Sequence, residues 1–169
     1  MAQYHLTSHL WPNPKDAYFR DSELTAQLQD SFRCVSTSLA ILTNQNPETF
    51  AGHINTQDPY SWSQALKPWN MKLAYCPTDV RKLQYYMDEL IALDDLFTLS
   101  YYIAYDPGII LDDPDEDGWV TSSHIVVLHR DRILDPATGT SVAAGKHHCN
   151  ECHTKRIFRV IPSDHPRGL

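Results

Sequence analysis

The sequence lacks the features of several large protein classes. Lys and Arg number 14 against 21 Asp and Glu, and the formal net charge of −7 leaves no basic surface of the kind that nucleic-acid binding needs. No apolar run approaches the roughly 18 residues of a membrane span. The first residues, Met1-Ala2-Gln3-Tyr4-His5, lack the basic and apolar regions of a signal peptide. We expect a cytoplasmic protein, or one delivered into a host cell without a cleavable signal, with no nucleic-acid partner.

Cysteine and glycine are also scarce. Four cysteines in 169 residues are too few for a disulfide scaffold. With six glycines, the chain has neither a Gly-rich phosphate loop nor the Gly-x-Ser-x-Gly turn of serine hydrolases. Hydrophobic residues make up 42%, enough for a core in a chain of this length. We therefore expect one domain over residues 1–169, with an irregular segment at residues 1–22.

Hydrophobic patterning predicts helices first and antiparallel strands last, which is an α+β arrangement. Val35, Leu39 and Leu42 recur at helical spacing, and either Asp30 or Ser31 can cap a helix that begins there. Further helices are expected at 48–54, 60–66 and 79–94, the last capped by Thr78. Strands are expected at 71–75, 97–103, 120–128, 132–135 and 156–161, with an acidic loop at 106–118.

Cys34 opens the apolar part of the first predicted helix. A helix N-terminus and a nearby imidazolium both favour the thiolate, which is the nucleophilic form of a cysteine. A cysteine on an apolar helix is also a common core residue. Its role therefore depends on whether a base lies beside it.

A predicted hairpin far downstream offers that base. A two-residue turn at 130–131 places Val126 opposite Asp135. His124 lies two residues from Val126 on the same face, so His124 and Asp135 are diagonal neighbours about 7–8 Å apart at the backbone. The opposite face is apolar, which predicts a central and rigid strand pair: Ile125, Val127 and Leu134.

A thiol, a base and an orienting carboxylate are the parts of a cysteine hydrolase. Taken alone, His124 can equally be a buried and hydrogen-bonded structural histidine. The joint occurrence of Cys34, His124 and Asp135 on these elements favours catalysis on an amide bond through a thioester intermediate.

Two blocks of the chain resemble a known family. Cys34-Val35-Ser36-Thr37-Ser38-Leu39-Ala40 resembles the nucleophile helix of papain-like cysteine peptidases, and is most similar to the Cys-Gly-x-x-Ser-Leu-Ala pattern of bacteriocin-leader peptidases that cut after a double glycine. His124-Ile125-Val126-Val127-Leu128 and Asp135-Pro136-Ala137-Thr138-Gly139 resemble the family's second block. The resemblance implies a papain-like α+β fold and a peptidase acting on a peptide or protein. It implies Cys34 as nucleophile, His124 as base and Asp135 as orienter.

The resemblance also implies a glutamine that helps hold the oxyanion. The family has it six residues before the cysteine, where this chain has Leu28 between Gln27 and Gln29. Gln29 is the candidate, with Gln27 as the alternative. The glycine that follows the nucleophile in the family is Val35 here.

A weaker likeness keeps other reactions open. His124-Ile125-Val126-Val127-Leu128-His129 and Arg156-Ile157-Phe158-Arg159-Val160-Ile161 resemble pieces of N-terminal glutamine amidohydrolases. That likeness implies glutamine deamidation, and acyl transfer would use the same thioester. A catalytically silent binding domain on the same fold is the alternative from another class.

Two further segments suggest metal ions. Cys149 and Cys152 form a Cys-x-x-Cys pair flanked by His148 and His153, which indicates a structural zinc site, although a solvated connector or a redox pair fits the same residues. The acidic residues at 112–117 mimic half of a calcium loop, but a solvated loop is favoured. The position of this loop just before His124 also allows it to flank the cleft and attract a basic substrate segment. No cofactor is required by the predicted chemistry.

Overall fold

A computed structural model describes residues 9–30, 33–103 and 122–169 of the chain. The helices are α1 (Cys34–Thr43), α2 (Pro59–Leu66) and α3 (Gln84–Leu93). The strands are β1 (Met71–Cys76), β2 (Leu96–Ile103), β3 (Ser122–His129), β4 (Arg132–Asp135), β5 (Thr140–Ala143) and β6 (Thr154–Pro162). They form a six-stranded sheet in the order β1-β6-β2-β3-β4-β5, and every neighbouring pair is antiparallel. The α+β prediction is confirmed.

Apolar side chains cover both faces of the sheet. One face packs against α1 and α2 and includes Ile125, Val127 and Leu134. The other packs against α3 and the N-terminal segment and includes Val126, Leu128 and Ile133. The hairpin register follows the prediction, since His129 pairs with Arg132 and Val127 pairs with Leu134. Burial on both faces makes β3 and β4 a stiff platform.

Two helices begin later than the sequence predicts. The N-cap of α1 is Arg33, which makes no side-chain capping bond, so the expected cap by Asp30 is wrong. The α3 helix begins at Gln84 and not near 79, and Thr78 does not cap it. Its expected first turn does not form, because the Leu83 backbone amide donates to Cys152 O at 2.9 Å and Arg81 O accepts from the Thr154 amide at 2.8 Å. These long-range bonds replace the local helical ones.

The N-terminal segment contains no helix or strand in its described residues 9–22, and a buried ion pair ties it to the sheet. Arg159 Nη2 lies 2.6 Å from Asp95 Oδ2, and neither side chain is exposed. The Asp95 carboxylate also accepts the amides of Tyr18 and Phe19, each at 2.8 Å. The guanidinium lies over three aromatic rings, which favours a buried cation: Trp11, Tyr18 and Phe97.

The same segment then runs to the turn after β4. Gln29 donates its amide to Pro136 O at 2.8 Å. At Gly139, where φ is +68°, a Cβ would lie 3.0 Å from the Leu28 Cβ, so glycine permits the close approach. The segment therefore delivers Gln29 to the end of the hairpin.

Among the described residues, no helix is both long and apolar enough to cross a membrane. The expected acidic loop at 106–118, its calcium-like residues and the first two residues of the expected strand at 120–128 lie outside the described residues.

We predict that Arg159→Met destabilises the fold by about 3–5 kcal/mol, because it leaves the buried Asp95 carboxylate without its cation. The measurement is the free energy of unfolding from urea denaturation. Arg81→Ala is the control, since the pair of Arg81 with Asp79 is exposed and its loss should change stability far less. Equal losses in the two variants would contradict the structural role of the buried pair.

Candidate active site

The centre of the site is a contact between the two hairpin strands. His124 lies near the start of β3, and Asp135 is the last residue of β4. The His124 Nε2 atom lies 2.8 Å from Asp135 Oδ1, and the two residues are 8% and 2% exposed. A carboxylate only accepts hydrogen bonds, so the His124 proton facing it sits on Nε2. The other ring nitrogen, Nδ1, is left for a second partner.

The surroundings of Asp135 keep it ionised. Burial by itself would raise the pKa of this carboxyl, but three hydrogen bonds outweigh it and hold the pKa well below its usual range. Their donors are His124, His147 and the amide of Ala137, the last at 2.9 Å. Asp135 therefore carries a negative charge next to the imidazole at neutral pH.

Cys34 lines the same cavity as that imidazole. It is the first residue of α1, and it is half-buried. Burial alone would lower the pKa of His124, but hydrogen bonds with Asp135 and with the Cys34 thiol raise it to about 9. The structure therefore brings together the thiol, the imidazole and the carboxylate that the sequence singled out.

The position of Cys34 follows from the packing of its helix. Every residue from Val35 to Thr43 is buried. Ser38 Oγ donates to Ile125 O at 3.3 Å, which fixes α1 across β3. The amides of the first helical turn have no acceptor within the helix, and they point toward the thiol end. Cys34 is thus held where α1, β3 and a cavity meet.

Two of the other thiols are unsuited to chemistry. Burial raises the pKa of both Cys76 and Cys149 to about 12, so both stay protonated at neutral pH. Cys152 is half-buried, and burial raises its pKa as well. Cys34 is the thiol with a base and a cavity beside it.

A cavity of about 760 Å³ opens over the Cys34 thiol and the His124 ring. That volume is within the range of small-ligand sites. Gln29 lines this cavity together with Cys34. Gln27 is directed elsewhere, because its Nε2 donates to Gln45 O at 2.9 Å. Of the two glutamines that the sequence offered, Gln29 is the one at the cavity.

Sequence reasoning missed His147. Its Nε2 lies 2.7 Å from Asp135 Oδ2, the carboxylate oxygen that His124 does not use. Its Nδ1 accepts the Cys149 amide at 3.0 Å, so this nitrogen carries no proton and Nε2 donates to Asp135. Asp135 is thus clamped between two imidazoles. The sequence signal for it is the pair of histidines at 147–148, of which only His148 belongs to the predicted zinc site.

The buried ring of Tyr101 supports both imidazoles. Tyr101 pairs with His124 across β2 and β3, and the ring centroids are 5.8 Å apart in an edge-to-face arrangement. The His147 ring lies 6.3 Å from the same tyrosine. Burial raises the pKa of the Tyr101 hydroxyl, so it stays protonated. Tyr101 therefore restricts how far either imidazole can rotate.

The residues of the predicted zinc site differ widely in burial. Cys149 is fully buried, Cys152 is half-buried with its thiol 3.7 Å from His148 O, and His148 and His153 are exposed. The described residues contain no group of three or more His, Cys, Asp or Glu side chains arranged to hold a metal ion. The zinc site stays a prediction without structural support.

We predict that His147→Leu lowers the activity of this site roughly 10- to 100-fold, because Asp135 can then rotate away from His124. In the parent protein the hydrogen bond from His147 lowers the pKa of Asp135. Its loss should raise that pKa and so move the acid limb of the pH profile to higher pH. The measurement is the rate against pH for each variant.

His147→Gln restores a donor and should recover part of the rate and of the acid limb. A general loss of packing would reduce the rate in both variants without moving the acid limb. That result would contradict the positioning role.

Comparison with known proteins adds no relative to these observations. No family model matches the chain, and no curated protein sequence matches it significantly. The arrangement of Cys34, His124 and Asp135 is therefore the feature that indicates a function for this chain.

Proposed function

We propose that this protein is a cysteine-dependent amide hydrolase, with peptide cleavage as its leading reaction. The observation that carries the proposal is the buried His124 imidazole, which bonds the Asp135 carboxylate and lines the same cavity as the Cys34 thiol. This is the arrangement that nucleophilic catalysis by a thiol requires. A helix that carries the nucleophile against an antiparallel sheet also supports the proposal of a papain-like fold.

The reaction proceeds in two halves. The Cys34 sulfur attacks the carbonyl carbon of the amide as a thiolate, while His124 holds the proton as an imidazolium. The C–N bond breaks as the imidazolium gives that proton to the departing amine, and a thioester to Cys34 remains. His124 then takes a proton from water, whose oxygen attacks the thioester. The C–S bond of the thioester breaks, the carboxylic acid leaves, and Cys34 is again a thiolate beside the His124 imidazolium, which holds the proton taken from water.

Asp135 stabilises and orients the His124 ring through this cycle. Its negative charge stabilises the imidazolium, and its hydrogen bond fixes Nε2 so that Nδ1 faces the thiol. Because His147 holds the second carboxylate oxygen, the Asp135 side chain cannot turn without breaking a bond of 2.7 Å.

The oxyanion needs donors close to the Cys34 sulfur. The backbone amides at the start of α1 supply one source, since they lack helical acceptors and lie at the positive end of the helix dipole. The side-chain amide of Gln29 is the second source, because Gln29 lines the cavity beside Cys34. Removing one such donor commonly slows an enzyme by about 10²- to 10³-fold.

Deamidation and acyl transfer share the thioester, and the departing and accepting groups alone distinguish them. Mass spectrometry of peptides incubated with the protein separates peptide cleavage from deamidation. We expect new termini, the product of peptide cleavage. A gain of about one dalton at a glutamine would instead indicate deamidation, in which water replaces ammonia.

We predict that Cys34→Ala abolishes turnover, with a loss on the order of 10⁴-fold or more, because the nucleophile is gone. Cys152→Ala is the matched control, since it removes a half-buried thiol that has no imidazole–carboxylate partner, and its turnover should stay near that of the parent. Turnover that survives in Cys34→Ala would refute the proposal. A protein in which Cys34 does not react with iodoacetamide would instead be a silent binding domain.

We predict that turnover falls as the pH rises through about 9, because His124 then loses the proton that the departing amine needs. The pKa is raised from 6.5, so this protonation also stabilises the folded state at low pH. That contribution is complete below pH 6.5 and is lost as the pH rises through about 9. NMR titration of the His124 ring measures the pKa directly, and a midpoint near 6.5 would contradict the assignment.

A further inference from the structure

Two adjacent cations reach the cavity because the sheet contains a β-bulge. In the pairing of β2 with β6, Ser100 faces Arg156 and Tyr101 faces Thr154, which leaves Lys155 without a partner on β2. Successive residues on a regular strand point to opposite faces, but a bulge turns one of them aside. Both Lys155 and Arg156 consequently line the cavity that contains Cys34.

Neither cation has an acidic partner in the part of the chain that the structure describes. The Lys155 ammonium donates to Ser123 Oγ at 3.2 Å and lies 5.9 Å from the centre of the Tyr102 ring. No ion pair forms between Arg156 and any described residue. Adjacent like charges are unfavourable, and both side chains are half-buried. An arrangement of this kind is stabilised when an anion enters.

The electrostatic environment of Lys155 is consistent with this conclusion. Burial and the neighbouring Arg156 lower the pKa of Lys155, whereas the Cys34 sulfur acts in the opposite direction. The ammonium is therefore close enough to the nucleophile to respond to its charge. The contrast with the rest of the molecule is strong, because the chain as a whole has a net charge of −7.

We propose that Lys155 and Arg156 bind a carboxylate of the substrate beside the bond that is cut. The substrate class is then an acidic peptide, which carries either an Asp or Glu side chain or a free C-terminal carboxylate at this point. A pair of cations around one carboxylate gives charge-assisted hydrogen bonds, which are stronger than neutral ones. This inference rests on the proposed function only in treating the bound molecule as a substrate. Binding of a carboxylate by Lys155 and Arg156 does not require turnover.

Lys155 and Arg156 can also be interpreted as activators of the thiol. In that case they would stabilise the Cys34 thiolate and leave its choice of reagent unchanged. The two roles differ in a measurable way, because activation speeds every electrophile, whereas carboxylate binding speeds only those that carry a negative charge.

Alkylation of Cys34 by iodoacetate and by iodoacetamide separates the two roles. The reagents have nearly the same size, and only iodoacetate carries a carboxylate; in both cases the thiolate displaces iodide. We predict that the iodoacetate-to-iodoacetamide rate ratio at Cys34 exceeds that of free glutathione by at least about threefold at low salt. Both Lys155→Met and Arg156→Met should lower it, and so should about 0.5 M NaCl.

Arg33→Met is the matched control. Arg33 precedes the nucleophile and is exposed in a pair with Glu48, but it does not line the cavity. Its loss should leave the ratio unchanged. An equal change of the rate ratio in all three variants would indicate a general electrostatic effect of positive charge. Equal slowing of both reagents would indicate that the cations activate the thiol. Either result overturns the carboxylate site.

Matched peptides identify the source of the carboxylate. Pairs that differ by Glu against Gln at each position near the cut, and by a C-terminal acid against an amide, should show one preferred acid. The ratio of the turnover rate of the preferred acidic peptide to that of its neutral counterpart should fall toward one in Lys155→Met and Arg156→Met. If no peptide turns over but the alkylation ratio responds as predicted, the proposed function fails and the anion site stands. If turnover occurs with no preference for any acid, the anion site fails alone.

Discussion

The buried charge of Asp135 is the constraint on which the site depends. A carboxylate that is 2% exposed is tolerable only when its oxygens are bonded. Here one oxygen serves His124 and the Ala137 amide, and the other serves His147. These bonds join β3, the turn after β4 and the N-cap of the 3-10 helix His148–Glu151 at one point. The imidazole that faces Cys34 is thereby oriented by structural bonds that also hold the hairpin end together.

A second buried carboxylate, that of Asp95, holds the N-terminal segment in place. The Arg159–Asp95 pair anchors that segment to the sheet, and from there the chain continues to Gln29 and then to α1. The cavity is therefore bordered by residues that are far apart in sequence but rigid relative to one another. For the proposed hydrolase, preorganisation of this kind matters because small displacements of reacting groups are costly in rate.

Local sequence patterns predict the parts of the site that depend on short-range geometry. The period of two along β3 and the turn at 130–131 were sufficient to bring His124 near Asp135, and the apolar spacing after Cys34 indicated α1. The parts that were missed depend on distant pairing. The bond of His147 to Asp135 requires the chain after β5 to fold back over the hairpin. The bulge at Lys155 arises from the register between β2 and β6, which no local pattern encodes. The late start of α3 has the same origin, since 81–83 bond to the segment before β6.

The position of β6 has a consequence for how the protein is made. This strand follows all the others along the described chain, yet it lies between β1 and β2 in the sheet. A ribosome must therefore release residues 154–162 before the sheet can close. Until then Arg159 is absent, the N-terminal segment has no anchor, and the wall of the cavity formed by β6 does not exist. An unfinished chain would thus carry the Cys34 thiol without the side of the cavity that Lys155 and Arg156 supply.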